Sequence, residues 1–187
     1  MFTWSKHFET KLDMVDDQHK ILFTILDKLI ACFSSGVPSE GMVDQVLKEL
    51  VEYSTHHFTY EEEMMLADHI DERHLTLHRM EHHSFCYDLE HLQLHTNVDE
   101  DEVQVAERIV SFISSWLAYH ILGVDMVMTA QIKAIRGGMS PQQAYETHNK
   151  IQQDAAQNRI MLNAVLDLWR GATERCRALE TKLASLG

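Results

Sequence analysis

The 187-residue chain is acidic and unusually rich in histidine. Its 29 aspartates and glutamates outnumber 16 lysines and arginines, and the formal net charge of −13 argues against a nucleic-acid surface, which needs a basic stripe. Hydrophobic residues make up 45% of the chain, and only seven glycines and two prolines interrupt it, which favours long helices around one core.

The sequence gives no sign of export or of membrane insertion. No basic region followed by an apolar run occurs at the N-terminus, so we predict no signal peptide. No uninterrupted apolar run of about 18 residues occurs either, so we expect no transmembrane helix. Cys32, Cys86 and Cys176 are odd in number and far apart, which indicates reduced thiols in a cytoplasmic protein.

Four apolar patterns with gaps of three and four residues predict four amphipathic helices in succession. The patterns cover residues 12–33, 43–64, 75–92 and 103–120, and turn-forming residues separate them. Four helices of about twenty residues each, joined by short turns, predict an all-α fold with an up-down-up-down four-helix bundle.

Each of the four patterns places histidine on the apolar face of its helix. These histidines are His19, His57, His78 with His82, and His120. Glu61 follows His57 by four residues, a spacing that puts both side chains on one helical face. Burying such groups without partners is costly, whereas a metal ion would use them as ligands.

Asp125 is a further candidate ligand, but its spacing from His120 is unusual. Five residues turn a regular α-helix by about 500°, which leaves the two side chains well off a common face. They can converge only if the helix is bent or bulged between them. Gly123 is the predicted place for that distortion, with the helix continuing over residues 125–136.

Five histidines and two carboxylates are too many for one ordinary site, and without cysteine they suit iron or a similar transition metal. If both carboxylates and an oxygen atom bridge two six-coordinate metals, one position stays open for a small molecule such as O2. Residues near the ligands could line that pocket, although ordinary core packing explains them equally well. They are Leu22, Leu117 and Phe58.

The remaining histidines test this interpretation. His74 and His78 also have ligand spacing, but we prefer His78 with His82 because they stay in phase with Phe85 and Leu89. Several residues fall off the apolar faces and are predicted to be solvated. These are His56, His69, His83 and His91. Glu62 and Glu63 are expected to be solvated acids rather than ligands.

The C-terminal part follows a different pattern. Gly137 and Gly138 form the clearest break, and Ser140-Pro141 predicts an N-cap with proline at the first helical position. Residues 151–186 then repeat apolar positions in heptads, which predicts either a coiled coil between two chains or a fifth helix on the bundle. We therefore expect a bundle domain in 1–136 and, in 137–187, a hinge and signalling helix that lead to an output domain.

Over residues 1–135 the motifs resemble those of the bacterial hemerythrins. They read Asp16-Asp17-Gln18-His19-Lys20, His57-Phe58-x-x-Glu61-Glu62, His78-x-x-x-His82-x-x-Phe85 and Trp116-Leu117-x-x-His120-Ile121-x-x-x-Asp125. The resemblance implies two iron ions, Fe2+ or Fe3+, bridged by Glu61, Asp125 and an oxo or hydroxo group. It also implies three-histidine ligation of one iron, and two-histidine ligation of the other, which would bind O2. The three-histidine set is His78, His82 and His120, and the two-histidine set is His19 and His57.

The C-terminal linker resembles that of bacterial proteins in which a hemerythrin domain precedes a diguanylate cyclase. This likeness implies a sensor of O2, nitric oxide or redox state that controls cyclic di-GMP synthesis. Because heptad helices need a partner, we expect homodimers formed through residues 151–186. No cyclase signature is present, so we expect no catalytic residues in this chain, and no nucleic-acid or membrane partner. The alternatives are oxygen storage or delivery and a di-iron peroxidase-like enzyme.

Overall fold

The computed structural model describes residues 4–34, 41–94 and 102–149, and these residues form helices and short connections. The helices are α1 (Asp13–Ser34), α2 (Met42–Ala67), α3 (Glu72–Leu94), α4 (Glu102–Tyr119), α5 (Met126–Arg136) and α6 (Pro141–His148). A π-helical segment, His120–Asp125, joins α4 to α5 without a break, and a 3-10 turn, Lys6–Phe8, precedes α1. The all-α prediction is therefore confirmed.

The first four helices close a ring around the core. α1 contacts both α2 and α4, while α3 contacts the same two helices from the opposite side. This is the arrangement of a four-helix bundle in which consecutive helices are neighbours. The C-terminal heptad segment, 151–186, lies outside the described residues, as does Cys176.

Two apolar clusters fill the bundle, one on each side of a polar layer. The larger cluster contains buried side chains from all four helices, including Leu26, Leu50, Phe85 and Ile113. The smaller cluster joins α2, α3 and α5 through Met65, Leu75, Met128 and Ile132. Each fully buried side chain of this size contributes about 1.5–3 kcal/mol. The two clusters thus hold the helices that carry the polar layer.

One helical stretch of the described chain, Arg108–Arg136, is long and apolar enough to span a membrane by length and composition. Polar residues interrupt it, so it contains no uninterrupted apolar run of about 18 residues. Within its most apolar window, 56% is buried inside the protein, and it carries the buried His120 and Asp125. Packing in the bundle core accounts for its apolar character.

The N-terminal segment is fastened to α1 by the buried carboxylate of Asp16. One of its oxygens accepts hydrogen bonds from the backbone N–H and the hydroxyl of Thr10, at 2.7 and 2.8 Å. The other accepts from the backbone N–H of Lys11 at 3.2 Å. Trp4 thereby reaches the bundle, with its ring 5.4 Å from that of Phe23 and 6.2 Å from that of His19.

The C-terminal end of the described chain also packs on the bundle. The guanidinium of Arg136 donates two hydrogen bonds of 2.8 Å to Asp68. Gly138, with φ of +98°, lets the chain turn, and Ser140 forms a capping box with Gln143, as Ser140-Pro141 predicted. In α6, Ala144 is buried. The first turns after the glycines therefore belong to the packed structure.

We expect Asp16→Ala to lower the free energy of unfolding by about 1–3 kcal/mol, because buried donors lose their acceptor. Urea denaturation followed by tryptophan fluorescence measures the change. Asp17→Ala is the matched control, since the Asp17 side chain is 66% exposed and pairs with Lys20 at the surface. Equal losses in the two variants would contradict the anchoring role of Asp16.

Candidate metal centre

The π-helical segment explains how Asp125 comes to face the site together with His120. In a π-helix, hydrogen bonds join residues five apart, so a spacing of five aligns side chains as a spacing of four does in an α-helix. Gly123 lies within the segment, where the sequence predicted a distortion. As a result, Nε2 of His120 is 3.2 Å from Oδ1 of Asp125.

All seven predicted ligands come together in two groups that share one carboxylate. Within each group, ligand atoms from all members lie within 4.8 Å of one another. The first group comprises Glu61, His78, His82 and His120, and the second comprises His19, His57, Glu61 and Asp125. None of these side chains is more than 3% exposed. The polar layer of the bundle is therefore one closed cluster of imidazoles and carboxylates.

Both carboxylates face both groups. Oε2 of Glu61 is 3.2 Å from Nε2 of His78 and 3.5 Å from Nε2 of His57. Oδ2 of Asp125 is 3.1 Å from Nε2 of His19, while its Oδ1 is turned to the first group, 3.6 Å from Nε2 of His78. Each acid is thus positioned to bridge two cations, one in each group.

Two of the histidines are oriented by hydrogen bonds on the far side of the ring. Nδ1 of His57 lies 2.9 Å from Oε1 of Gln18, and Nδ1 of His82 lies 3.1 Å from Oε1 of Glu62. Nε of Arg79 donates to the other oxygen of Glu62 at 3.0 Å. Because these oxygens accept the Nδ1 proton, the Nε2 lone pairs of both rings point into the site, as metal coordination requires.

Burial sets the charge of the cluster. It lowers the pKa of His57 and His82 below the ordinary value, so both rings are neutral at neutral pH. Burial, together with repulsion from Asp125, raises the pKa of Glu61. Burial alone would also raise the pKa of Asp125, but the interactions with His120 and His19 together outweigh it and hold that pKa well below its usual range. Neutral imidazoles and a carboxylate are the forms that bind metal.

The arrangement fits a metal better than it fits hydrogen bonding among the residues themselves. Within the described part of the chain, several buried polar atoms of the site lie close to other ligand atoms but make no hydrogen bond of accepted geometry. They are Nε2 of His19, Oε1 of Glu61 and both Oδ atoms of Asp125. Each such atom costs about 1–3 kcal/mol to bury unpaired. Coordination of cations in the two groups would satisfy all of them.

Aromatic rings pack against the imidazoles of the first group. The ring of Phe58 stacks on that of His82 with a centroid distance of 3.8 Å, and Trp116 stacks on His120 at 4.2 Å. These contacts fix the planes of the imidazoles and keep water from one side of the site. The apolar residues proposed for a small-molecule pocket are all buried, namely Leu22, Leu117 and Phe58.

His74 is buried but belongs to neither ligand group. Its Nδ1 lies 3.3 Å from Nε2 of Gln131, and burial lowers the pKa of His74 to about 3. His78 and His82 are the pair that enters the cluster, in agreement with the phase of the third helix. The residues predicted to be solvated are exposed in five cases: His56, His69, His83, His91 and Glu63.

The prediction that Glu62 is a solvated acid is wrong. Its side chain is only 24% exposed, and its two oxygens are engaged by His82 and Arg79. Sequence reasoning also gave no role to Gln18, although this buried amide holds His57. Gln18 directly precedes the predicted ligand His19, and Glu62 directly follows the predicted ligand Glu61. This adjacency to a ligand was the feature of the sequence that could have indicated their roles.

Four helices that present histidines and carboxylates to a closed internal site define a class of metal-binding bundle. The sequence model of the hemerythrin HHE cation-binding domain matches residues 10–132. The match covers the bundle and all seven members of the two ligand groups. The chain therefore belongs to the hemerythrin family, as the motifs indicated.

Known relatives match the same part of the chain. A bacteriohemerythrin of Clostridium acetobutylicum is 29% identical over 127 residues, which cover 67% of this chain and 96% of the relative. A bacteriohemerythrin of Methylococcus capsulatus is 32% identical over an alignment that covers 67% of this chain and 92% of the relative. A hemerythrin-like protein of Naegleria gruberi is 32% identical over an alignment that covers 67% of this chain and 88% of the relative. No solved structure matched the chain.

We expect His82→Gln to weaken metal binding by more than about tenfold. Removing a residue that only hydrogen-bonds to a ligand already costs about tenfold or more in metal affinity, and His82 is predicted to be a ligand itself. Elemental analysis after equilibrium dialysis against limiting metal measures the change. His83→Gln provides the control, because His83 is the adjacent histidine and is exposed. If both variants retain metal equally, His82 is not a ligand.

Proposed function

We propose that this chain binds O2 at a non-haem di-iron centre and acts as an oxygen or redox sensor. The observation that carries the proposal is the pair of ligand groups that share Glu61, with Asp125 turned towards both. A single metal site would not need two groups of histidines on opposite sides of two carboxylates. The described relatives, which are named hemerythrins, support iron as the metal.

The groups divide the ligands between the two irons. His78, His82 and His120 would hold one iron, while His19 and His57 would hold the other. Glu61 and Asp125 would bridge the pair, together with an oxo or hydroxo group. The second iron has one protein ligand fewer, which leaves a position for O2 or for nitric oxide. When bound, a ferrous pair supplies the electrons that make O2 binding possible.

The residues around this centre restrict what it can do. All seven ligands are buried, so the site admits a small diatomic molecule more readily than an organic substrate. Leu22 and Leu117 are buried and lie three residues from His19 and His120 on the same helices, a spacing that puts apolar side chains beside these ligands. With five imidazoles and only two carboxylates, the ligand set favours ferrous iron. We propose on these grounds that the chain has no enzymatic activity of its own.

Transmission to an output domain forms the second part of the proposal. The π-helical segment and α5 form one helix that runs from His120 and Asp125 to Arg136, which is fixed to Asp68 by two hydrogen bonds. A change at the centre could thereby reach the Gly137–Gly138 turn. Beyond it, the heptad segment 151–186 would pair two chains and align a C-terminal output domain, in our proposal a cytoplasmic diguanylate cyclase.

Oxygen storage is the second candidate function, and the relatives give it some support. The alignment covers 96% of the Clostridium acetobutylicum protein, so a bundle of this kind occurs in a protein with little additional sequence. A storage protein must release O2 unchanged over many cycles. A sensor needs only a change of state that lasts long enough to be transmitted. A di-iron peroxidase would instead consume peroxide with a reductant.

We expect the purified chain to contain two irons and the ferrous form to develop a visible charge-transfer band when O2 is added. For a sensor, this band should decay rapidly to the ferric state and should not return under argon. A band that reverses over many cycles would support storage, and rapid peroxide turnover would support an enzyme. Zinc in place of iron, or less than one metal per chain, would contradict the di-iron assignment.

A truncation separates the bundle from the proposed dimerisation segment. A chain that ends at Asn149 keeps the contact in which Arg73 lies 4.0 Å over the ring of Tyr145, and we expect it to bind the same amount of iron as the full chain. Analytical ultracentrifugation should show a monomer for the truncated chain and a dimer for the full chain. A truncated chain that remains dimeric would contradict pairing through residues 151–186.

A further inference from the structure

The two ligand groups differ in what their histidines bond to outside the site. In the first group, Nδ1 of His82 bonds to the carboxylate of Glu62 at 3.1 Å. In the second group, Nδ1 of His57 bonds to the neutral amide of Gln18 at 2.9 Å. The two bonds are similar in length and position. The charge of the acceptor is what distinguishes them.

Arg79 keeps the acceptor of the first group in place. Its Nε donates to Oε2 of Glu62 at 3.0 Å, while Oε1 of the same carboxylate faces His82. A charge-assisted hydrogen bond of this kind is stronger than a neutral one. Glu62 is thus held as an oriented carboxylate, on a side chain that is 24% exposed. Gln18 has no comparable charged partner among the hydrogen bonds of the described residues.

The acceptor changes how strongly a histidine donates electrons to a metal. A carboxylate draws the Nδ1 proton towards itself, which makes Nε2 a more basic ligand. A more basic ligand stabilises the higher oxidation state, so hydrogen bonding outside the ligand shell tunes reduction potential. The amide oxygen of Gln18 carries no net charge and has a weaker effect of the same sign.

We propose that Glu62, held by Arg79, is a positioning residue that makes the two metal sites unequal in reduction potential. It lowers the potential of the site formed by His78, His82 and His120 relative to that formed by His19 and His57. The inference rests on the proposed di-iron centre. On oxidation, the first electron passes from the three-histidine site to an external mediator, while the Nδ1 proton stays on His82 and no bond breaks.

The consequence is a division of roles between the sites. In the half-oxidised protein, the ferric ion occupies the three-histidine site. The site with His19 and His57, which has the open position, would remain ferrous but would lack the second electron that O2 binding draws from a ferrous pair. Loss of one electron would therefore leave the ligand-binding side in its reduced form.

Glu62→Gln tests the proposal, because it removes the charge of the acceptor but keeps a hydrogen-bonding side chain. Glu63→Gln removes the same charge from the next residue, which is exposed and bonds to no ligand. Both variants and the unchanged protein are loaded with iron and titrated with redox mediators while their spectra are recorded. We expect Glu62→Gln to raise the lower of the two midpoint potentials. For a one-electron couple, a shift of about 59 mV corresponds to a tenfold change in the oxidised-to-reduced ratio.

A second variant covers the case in which Glu62→Gln loses iron. Gln18→Glu gives His57 a charged acceptor and should lower the higher midpoint potential. The proposal is overturned if Glu62→Gln shifts the lower potential no more than Glu63→Gln does, or if Gln18→Glu leaves the higher potential unchanged. Failure of the unchanged protein to bind two irons would instead defeat the proposed function, so the two failures can be told apart.

Discussion

The structure depends on the burial of seven ligand side chains in one layer between two apolar clusters. Uncompensated, such a layer would oppose folding, since each unpaired buried polar atom costs about 1–3 kcal/mol. The apolar clusters on either side supply the stabilisation that keeps the helices together. A metal pair would turn the same layer into the strongest contact between the helices, so that metal binding and folding become linked.

One local departure from regular helix makes the layer complete. His120 and Asp125 lie in the same helical stretch, five residues apart, and only the π-helical segment directs both inward. Because α5 continues from this segment to the contact between Arg136 and Asp68, the helix that contains the distortion connects the site to the end of the bundle. The feature that brings Asp125 to the centre therefore also begins the helix through which we propose that a change is transmitted.

Much of this arrangement could be predicted from sequence, because it follows from periodicity. His19, His57 and Glu61 lie on apolar faces whose spacing is visible in the chain, and the spacing of His120 and Asp125 required a distortion near Gly123. The roles of Gln18 and Glu62 could not be predicted in this way. They depend on which residue of another helix lies opposite, and that depends on how the helices pack against each other.

The central claim is that the two ligand groups hold two metals, one in each group. The most direct measurement is a crystal structure of the iron-loaded protein with anomalous diffraction collected at the iron absorption edge. We predict two peaks within about 4 Å of each other, the separation typical of two-metal sites, one beside His82 and the other beside His57. A single peak, or a peak beside His74 and Gln131, would contradict the account.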